Sequence, residues 1–238
     1  MGMLDGKVAI VTGATSGIGR RTAQVFVEEG ASVVFTGRRR AEGEALAHEL
    51  AGKGRFIAAD ATLENDWQRV VAETLAAHGR IDALFNNAGG PAPTGSITEI
   101  PVDGFDRAMA LLVRSVMLGM KHVAPTMVRQ RSGSIVNNGS VAAHLAGHSS
   151  SMVYSAAKAA VNQLSRCAAM ELGEHGVRVN SVSPGAIATG IVAKALGVET
   201  GTADRLADRM KEVSAKLQPI PRAGLPDDIA QCVAWLAS

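Results

Sequence analysis

The segment KVAIVTGATSGIG, residues 7–19, decides the fold of this chain. Its first six residues are mostly apolar or β-branched, which predicts a short buried strand of a parallel sheet. Three glycines follow the strand, and residues 20–29 then have the periodicity of a helix. A strand, a glycine-rich turn and a helix N-terminus in succession predict an anion-binding site.

The three glycines have different predicted roles. Gly13 allows the turn, Gly17 lets the backbone approach a pyrophosphate, and Gly19 permits close packing of the helix. Their spacing is G-x-x-x-G-x-G rather than the commoner G-x-G-x-x-G. An ordinary turn between a strand and a helix is the alternative interpretation.

Further strands alternate with helices along the rest of the chain. The strands are predicted at residues 31–36, 55–60, 81–85, 134–138 and 177–182, and the helices at 64–77, 105–130, 152–172 and 227–237. No linker, repeat or low-complexity tract divides the sequence, so we expect a single domain over residues 1–238. This alternation predicts an α/β fold, a doubly wound parallel sheet flanked by helices on both faces.

Composition limits the classes of partner and compartment. The net charge of +2 is too small to indicate nucleic acid or an anionic membrane surface, and aromatic residues make up only 3%, too few for base stacking. Cys167 and Cys232 are isolated, which predicts neither a disulfide framework nor a metal site and fits a reducing compartment. No apolar run reaches the ~18 residues of a membrane span, and no signal peptide precedes the first strand, so we expect a cytoplasmic protein.

Basic residues follow the second predicted strand. An NAD site has an acidic residue about 20 positions after the glycines, but here Gly37 is followed by Arg38, Arg39 and Arg40. Arg38 is able to pair bidentately with a 2′-phosphate, so NADP(H) is favoured and NAD(H) is the other option. The alternative interpretation is that the arginines begin a solvated helix.

Polar and small residues end the third and fourth predicted strands. Asp60, followed by Ala61, is expected to accept a hydrogen bond from an adenine amino group. The run Asn86-Asn87-Ala88-Gly89 suits close approach of the backbone to a ligand, although these types are also common in turns.

Tyr154 and Lys158 lie one turn apart on the predicted helix over residues 152–172. A phenol and an ammonium at this separation form an acid/base pair, in which the cation is expected to lower the phenol pKa from about 10 towards the working range. A buried tyrosine followed by a surface lysine is the alternative interpretation.

In combination these motifs resemble the classical short-chain dehydrogenase/reductase family. The residues that carry the resemblance, in the order and spacing of the family, are Thr12-Gly13-x-x-x-Gly17-Ile18-Gly19, Asn86-Asn87-Ala88-Gly89, Ser140, Tyr154-x-x-x-Lys158 and Ser183-Pro184-Gly185. The resemblance covers residues 5–238 and implies a Rossmann-type fold, a nicotinamide cofactor, and hydride transfer between an alcohol and a carbonyl.

The resemblance also implies a role for each matching residue. Tyr154 is expected to be the general acid/base, Lys158 to bind the nicotinamide ribose, and Ser140 to donate a hydrogen bond to the substrate oxygen. The expected cofactor contacts are Thr12, Gly13, Thr15, Ser16, Gly17, Ile18, Gly19, Arg38, Arg39, Asp60, Ala61, Asn87, Ala88, Gly89, Tyr154, Lys158, Pro184, Gly185, Ile187 and Thr189. The expected substrate pocket is apolar and is formed by Pro91, Val141, Leu145, Met152, Ile191, Val192 and Leu196. A mobile segment over about residues 188–217 is expected to cover it.

Two features depart from the family pattern. Leu112 stands where the family has an asparagine that anchors a water relay from the lysine, and Ser115, one turn later, is a candidate substitute. After the last predicted helix the family has a seventh strand, which we expect to be missing because the sequence stops at Ser238. The family also implies a homo-oligomer, a tetramer or a dimer.

The expected activity is that of an NADP(H)-dependent carbonyl reductase or secondary-alcohol dehydrogenase with a small apolar ketone or alcohol as substrate. The alternative is a nicotinamide-cofactor-binding protein with little or no catalysis, such as a redox sensor or a scaffold. Leu112 and the expected absence of the seventh strand favour the alternative, whereas the intact Ser140, Tyr154 and Lys158 favour the enzyme.

Overall fold

The secondary structure consists of parallel strands alternating with helices, as predicted. The computed structural model describes residues 2–191, 198–199, 202, 206, 211, 215 and 219–238. The strands are β1 (Val8–Val11), β2 (Ser32–Gly37), β3 (Gly54–Ala58), β4 (Ala83–Asn86), β5 (Gly133–Asn138) and β6 (Val177–Val182). The helices are α1 (Gly17–Glu28), α2 (Arg40–Glu49), α3 (Glu64–His78), α4 (Val102–Met109), α5 (Ser115–Gln130), α6 (Met152–Leu172) and α7 (Pro226–Ala237), and a π-helix (Ala110–Arg114) joins α4 to α5.

The order of the strands creates a crevice at the centre of the sheet. The six strands of the described residues are all parallel and lie in the order β3-β2-β1-β4-β5-β6. The chain therefore builds outwards from β1 to β3 and then returns to place β4 on the other side of β1. At such a reversal the connecting helices leave on opposite faces, so ligands bind beside the carboxyl ends of these two strands.

Side chains of the central strands alternate between two apolar cores, one on each face of the sheet. Ala9 and Val11 of β1 pack in the core beneath α1, α2 and α7, whereas Ile10 packs in the core beneath α3, α5 and α6. Because both faces are covered, the central strands consist of nearly continuous apolar residues rather than alternating polar and apolar ones. Among the described residues, no helix has the length and apolar character needed to cross a membrane.

The observed ends of some helices and strands next to the cleft differ from the predicted ones. Helix α1 begins at Gly17, so the last two glycines of the turn lie in its first turn. Strand β3 ends at Ala58, where its ladder with β2 ends, and Asp60 therefore lies beyond the strand. The long helix predicted at residues 105–130 begins at Val102 and contains the π-helical turn, which widens the backbone spiral next to the crevice.

Candidate active site

A cleft of 680 Å³ opens beside the carboxyl ends of β1 and β4. It brings together most of the residues that the sequence predicted for cofactor binding and catalysis. The predicted residues on its walls are Gly13, Thr15, Ser16, Gly17, Ile18, Arg38, Arg39, Asp60, Ala61, Asn87, Ala88, Gly89, Pro91, Tyr154, Lys158, Thr189 and Ile191. Leu111, Leu112 and Asn138 also line the cleft.

The other predicted site residues lie away from the cleft walls or outside the described structure. Six of the residues predicted for cofactor binding and catalysis lie away from the walls: Thr12, Gly19, Ser140, Pro184, Gly185 and Ile187. Of the predicted substrate pocket, Val141, Leu145 and Met152 do not line the cleft, and the last two are exposed. Val192 and Leu196, and most of the predicted covering segment at 188–217, lie outside the described residues.

The glycine turn has the left-handed conformation that glycine permits. Gly13 has φ +65° and Gly17 has φ +56°. A Cβ atom on Gly13 would lie 2.8 Å from the Cα of Ala88, so the turn is packed closely against the end of β4. A Cβ atom on Gly17 would instead approach Thr189 at 3.4 Å, on the wall of the cleft. Bare backbone thus faces the cleft at the start of α1, as a phosphate group requires.

Thr12 fixes this turn rather than lining the cleft. Its Oγ1 accepts hydrogen bonds from the backbone N–H groups of Asn87 and Ala88, each at 3.0 Å. In return, Nδ2 of Asn87 donates to the carbonyl oxygens of Thr12 at 3.0 Å and Gly13 at 3.3 Å. The ends of β1 and β4 are therefore cross-linked in both directions, and the residue that the sequence predicted as a cofactor contact is a buried support for the turn.

The three arginines after β2 have different environments. Arg38 is exposed on the cleft wall. Arg39 donates from Nε and Nη2 to Oγ1 of Thr15 at 3.2 and 3.1 Å and from Nη1 to Glu42 at 3.3 Å. Arg40 begins α2, so the interpretation that arginines start a helix holds for this residue, whereas the other two border the cleft.

Asp60 lies on the cleft wall, and one of its carboxylate oxygens already accepts hydrogen bonds from within the protein. Its Oδ1 accepts hydrogen bonds from the backbone N–H of Thr62 at 2.9 Å and from its hydroxyl at 2.8 Å. Its own backbone N–H donates to Oδ2 of Asp66 at 2.7 Å. These local bonds fix the loop after β3 and hold Asp60 at the edge of the cleft.

Tyr154 presents a partly buried phenol to the cleft, near the hydroxyl of Ser140, which follows β5. Burial raises the pKa of the phenol above its usual value of 10, and the Ser140 hydroxyl opposes this rise without cancelling it. The expected lowering of this pKa by Lys158 is therefore wrong for the protein alone, because burial outweighs the effects that stabilise the phenolate.

Lys158 is buried beside Tyr154, which excludes the interpretation of a surface lysine. Its side chain is only 4% exposed, and Nζ lies 5.7 Å from the centre of the Tyr154 ring. The ammonium donates to the backbone carbonyl of Asn138 at 2.5 Å. Burial lowers the pKa of Lys158 to about 8, because an ammonium away from water loses its hydration.

Ser151 is a residue of the site that the sequence analysis missed. It caps the N-terminus of α6, and its Oγ accepts from the N–H of Tyr154 at 3.1 Å. The same hydroxyl donates to the carbonyl of Pro93 at 2.6 Å. Ser151 thus joins the loop at the mouth of the cleft to the helix that carries the phenol. A serine directly before a predicted helix is the cap signal that reveals it.

Leu112 forms an apolar wall behind the acid/base pair. It is buried and packs in a cluster with Ala108, Val153 and Ala157, against which Tyr154 also packs. Ser115, the candidate substitute, is buried and donates its hydroxyl to the carbonyl of Leu111 at 2.5 Å, away from the cleft lining. The π-helical turn therefore brings a hydrocarbon side chain into the position that the family resemblance assigns to an asparagine.

Comparisons with known proteins agree with this geometry. A family model described as Enoyl-(Acyl carrier protein) reductase matches residues 13–238. A 2,5-dichloro-2,5-cyclohexadiene-1,4-diol dehydrogenase of Sphingobium indicum is 37% identical over 239 residues, covering 100% of this chain and 92% of that protein. The (+)-borneol dehydrogenase 2 of Salvia officinalis is 37% identical over 241 residues, covering 99% of this chain and 84% of that protein.

A solved structure is similar over nearly the whole chain. It is the crystal structure, with cofactor, of a short-chain dehydrogenase/reductase of unknown function from Caenorhabditis elegans. The two structures have a TM-score of 0.88 and 33% sequence identity, covering 99% of this chain and 89% of that one. The chain therefore belongs to the short-chain dehydrogenase/reductase family, and its fold is confirmed. It is an oxidoreductase that uses a nicotinamide cofactor, as the motifs predicted.

Proposed function

We propose that this chain is an NADP(H)-dependent carbonyl reductase or secondary-alcohol dehydrogenase that acts on a small apolar ketone or alcohol. The observation that carries the proposal is the phenol of Tyr154 in the cleft, near the hydroxyl of Ser140 and adjacent to the buried ammonium of Lys158. A hydroxyl donor, a proton source and a cation side by side are the groups that reduction of a carbonyl requires.

In this proposal each of the three side chains has one role at the substrate oxygen. Tyr154 protonates the developing alkoxide during reduction and removes the hydroxyl proton during oxidation. Ser140 donates a hydrogen bond to the same oxygen, where negative charge develops. Lys158 stabilises the phenolate form of Tyr154 electrostatically, since the two groups are close and the ammonium is buried.

The cofactor is proposed to lie along the cleft, with its pyrophosphate at the glycine turn and its nicotinamide near Tyr154. Gly13 and Gly17 offer bare backbone for the phosphates, and Lys158 is near enough to the phenol to bind a ribose hydroxyl as well. When bound, the nicotinamide supplies or accepts the hydride. Arg38, exposed on the cleft wall, is proposed to bind the 2′-phosphate of NADP(H).

An apolar substrate is proposed because hydrocarbon side chains line part of the cleft that also contains Tyr154. Pro91, Leu111, Leu112 and Ile191 contribute to that wall. Two relatives are named for dehydrogenation of a cyclohexadiene diol and of borneol. Alicyclic secondary alcohols and the corresponding ketones are therefore the first substrates to test.

We also propose that the protein works in the cytoplasm as a homo-oligomer, as the family resemblance implies. The two cysteines are exposed and unpaired, which suits a reducing compartment. Analytical ultracentrifugation at micromolar concentration measures the assembly directly, and a single monomeric species would contradict it.

The test of the proposed activity is consumption of NADPH with a panel of alicyclic and aromatic ketones. Turnover with at least one ketone is expected, and Tyr154→Phe should lower it by about 10²–10⁴-fold because the proton donor is lost. The variant should retain cofactor binding, measured by quenching of tryptophan fluorescence, since the glycine turn is unchanged. Tight cofactor binding without turnover across the panel would instead indicate the non-catalytic alternative.

The choice between NADP(H) and NAD(H) is tested at Arg38. Arg38→Ala should weaken binding of NADPH by about tenfold or more and leave NADH nearly unchanged, because one charge-assisted pair with the phosphate is lost. Arg40→Ala is the matched control, since Arg40 lies in the same arginine run but does not line the cleft. Equal weakening of both cofactors by Arg38→Ala would contradict the assignment.

A further inference from the structure

Asn138 is a cleft residue without an assigned role in the proposed reaction. It is the last residue of β5 and lines the cleft together with Tyr154 and Lys158. Its backbone carbonyl accepts the hydrogen bond from Lys158 at 2.5 Å. Among the described residues, this carbonyl is the hydrogen-bond acceptor of the ammonium. A buried cation needs a well-placed acceptor, because its hydration has been removed.

The side chain of Asn138 fixes where that carbonyl lies. The ladder between β4 and β5 ends at the pair Asn86 and Asn137. One residue further, Nδ2 of Asn138 donates to Oδ1 of Asn87 at 3.0 Å and so continues the connection between the two strands. Asn87 is in turn bonded to the carbonyl oxygens of Thr12 and Gly13. The position of the Lys158 ammonium is therefore linked through two asparagine side chains to the glycine turn.

The opposite wall of the pair offers no such anchor. Leu112 is a hydrocarbon at the cleft wall, and the hydroxyl of Ser115 is bonded to the carbonyl of Leu111. Neither residue presents a polar side chain to Lys158. Among the described residues, the hydrogen bond that holds the ammonium therefore comes from the strand side.

One further atom supports a role for Asn138 in the working site. Its Oδ1 is buried and has no hydrogen-bond partner among the described residues. Buried acceptors are nearly always paired, so an unpaired one at a ligand cleft indicates an acceptor for a donor that arrives with the reaction. A hydroxyl of the cofactor or the ammonium of Lys158 after a rotation are the donors available there.

We propose that Asn138 is a positioning residue whose side chain, bonded to Asn87, fixes the carbonyl that holds the Lys158 ammonium. The proposal rests on the proposed function, because it assigns Lys158 a role beside Tyr154. Asn138 acts through Lys158 and does not itself transfer a proton.

The experiment titrates Lys158 itself, by NMR of protein labelled with carbon-13 at the lysine Cε atoms, without cofactor, substrate or turnover. The Lys158 signal is assigned by its absence from Lys158→Met. In Asn138→Leu, which has a similar volume and no hydrogen-bonding group, the ammonium loses its fixed acceptor. The midpoint of the Lys158 titration should move downwards by about one pH unit, because the buried charged form is then stabilised less. Circular dichroism at each pH confirms that the folded protein is being titrated.

Steady-state kinetics give the second readout. We expect kcat at pH 7 to fall severalfold in Asn138→Leu, with the alkaline limb of the kcat profile displaced in the same direction as the Lys158 midpoint. Asn180→Leu on β6 is the matched control, an asparagine on the neighbouring strand that does not line the cleft. It should move neither profile. If Asn138→Leu does not fold, Asn138→Ser receives the same two measurements.

Rescue separates anchoring from a merely structural role. Adding Leu112→Asn to Asn138→Leu should return the Lys158 midpoint towards that of the unmodified protein, because the helix side then supplies a polar anchor. A folded Asn138→Leu with an unchanged midpoint and an unchanged kcat profile would overturn the proposal, as would failure of the rescue. If the midpoint moves but no ketone is turned over, the proposed function fails while the positioning role stands.

Discussion

The two sides of the Tyr154–Lys158 pair differ in chemistry. On the helix side, Leu112, Val153 and Ala157 pack as hydrocarbons against the phenol. On the strand side, the backbone of Asn138 accepts the hydrogen bond of the ammonium, and its side chain is bonded to Asn87. One side therefore removes water from the pair, and the other fixes its position.

The difference explains why motif spacing alone gave the wrong direction for the phenol. Spacing places a cation near Tyr154, which by itself favours the phenolate. The apolar side, however, desolvates both groups, so that the pKa of Tyr154 is raised and the pKa of Lys158 is lowered to about 8. Both shifts have the same physical cause, since each charged form loses hydration on burial.

The largest expected effect comes from removing the cation that lies between the two sides. Lys158→Met should lower turnover by about a hundredfold or more, because the phenolate loses its electrostatic partner. The same substitution should stabilise the fold at pH 7 by up to about 3 kcal/mol, since the native protein carries a buried ammonium with its pKa lowered from 10.5 to about 8. Urea denaturation measures this gain.

The sign of the pH dependence follows from the lowered pKa. Between pH 8 and pH 10.5 the unfolded chain keeps the proton of Lys158 while the folded chain releases it, so the unmodified protein becomes more stable as the pH rises. The advantage of Lys158→Met is therefore full below pH 8 and disappears towards pH 10.5. Lys121→Met, at an exposed ion pair with Glu64, is the control and should change stability little. A similar stability change in both variants would contradict this assignment.

A smaller effect is expected from removing the hydrogen bonds that join the end of β1 to the end of β4. Thr12→Val removes the acceptor of the Asn87 and Ala88 N–H groups, and leaving these donors unpaired should cost about 1–3 kcal/mol of unfolding free energy. The matched control is Thr22→Val, because the buried hydroxyl of Thr22 donates to the carbonyl of Ile18 within α1. Equal losses of unfolding free energy in the two variants, measured by urea denaturation, would mean that the Thr12 bonds stabilise the fold no more than the Thr22 bond does.

The smallest effect is expected from making the helix side polar while the strand side stays intact. Leu112→Asn should change kcat only severalfold and broaden its pH optimum, because Asn138 already anchors Lys158. It should also destabilise the fold by about 1–2 kcal/mol, since an amide replaces a packed hydrocarbon. Leu112→Ala is the control for lost packing alone. A pH profile identical in the two variants would show that the added amide does not reach the proton path.

Much of the fold was predictable because local patterns and the global topology agree. The apolar run before Gly13 and the alternation of strands and helices predicted the doubly wound sheet that is observed. The carboxyl ends of parallel strands meet at one edge, so the glycine turn, Asp60 and Asn87 were expected to line one cleft, and they do.

The roles of individual side chains were less predictable, because they depend on neighbours distant in sequence. Thr12 supports the turn rather than lining the cleft, since β4 brings Asn87 and Ala88 to its hydroxyl. Leu145 and Met152 are apolar and close to Tyr154 in sequence, yet both are exposed. Apolar character and sequence proximity do not determine on which side of a loop a residue lies.

The sequence by itself determined the sheet, the family and the chemical groups at the site, because strand periodicity, glycine spacing and the Tyr154–Lys158 interval are local properties of the chain. Only the tertiary structure decided how those groups are tuned. Burial of Tyr154 and Lys158, the apolar wall at Leu112 and the anchoring by Asn138 depend on contacts between α6, the π-helical turn and the ends of β4 and β5. Hydration and hydrogen bonding at the pair are set by these long-range contacts, and they decide the protonation of the phenol and the ammonium.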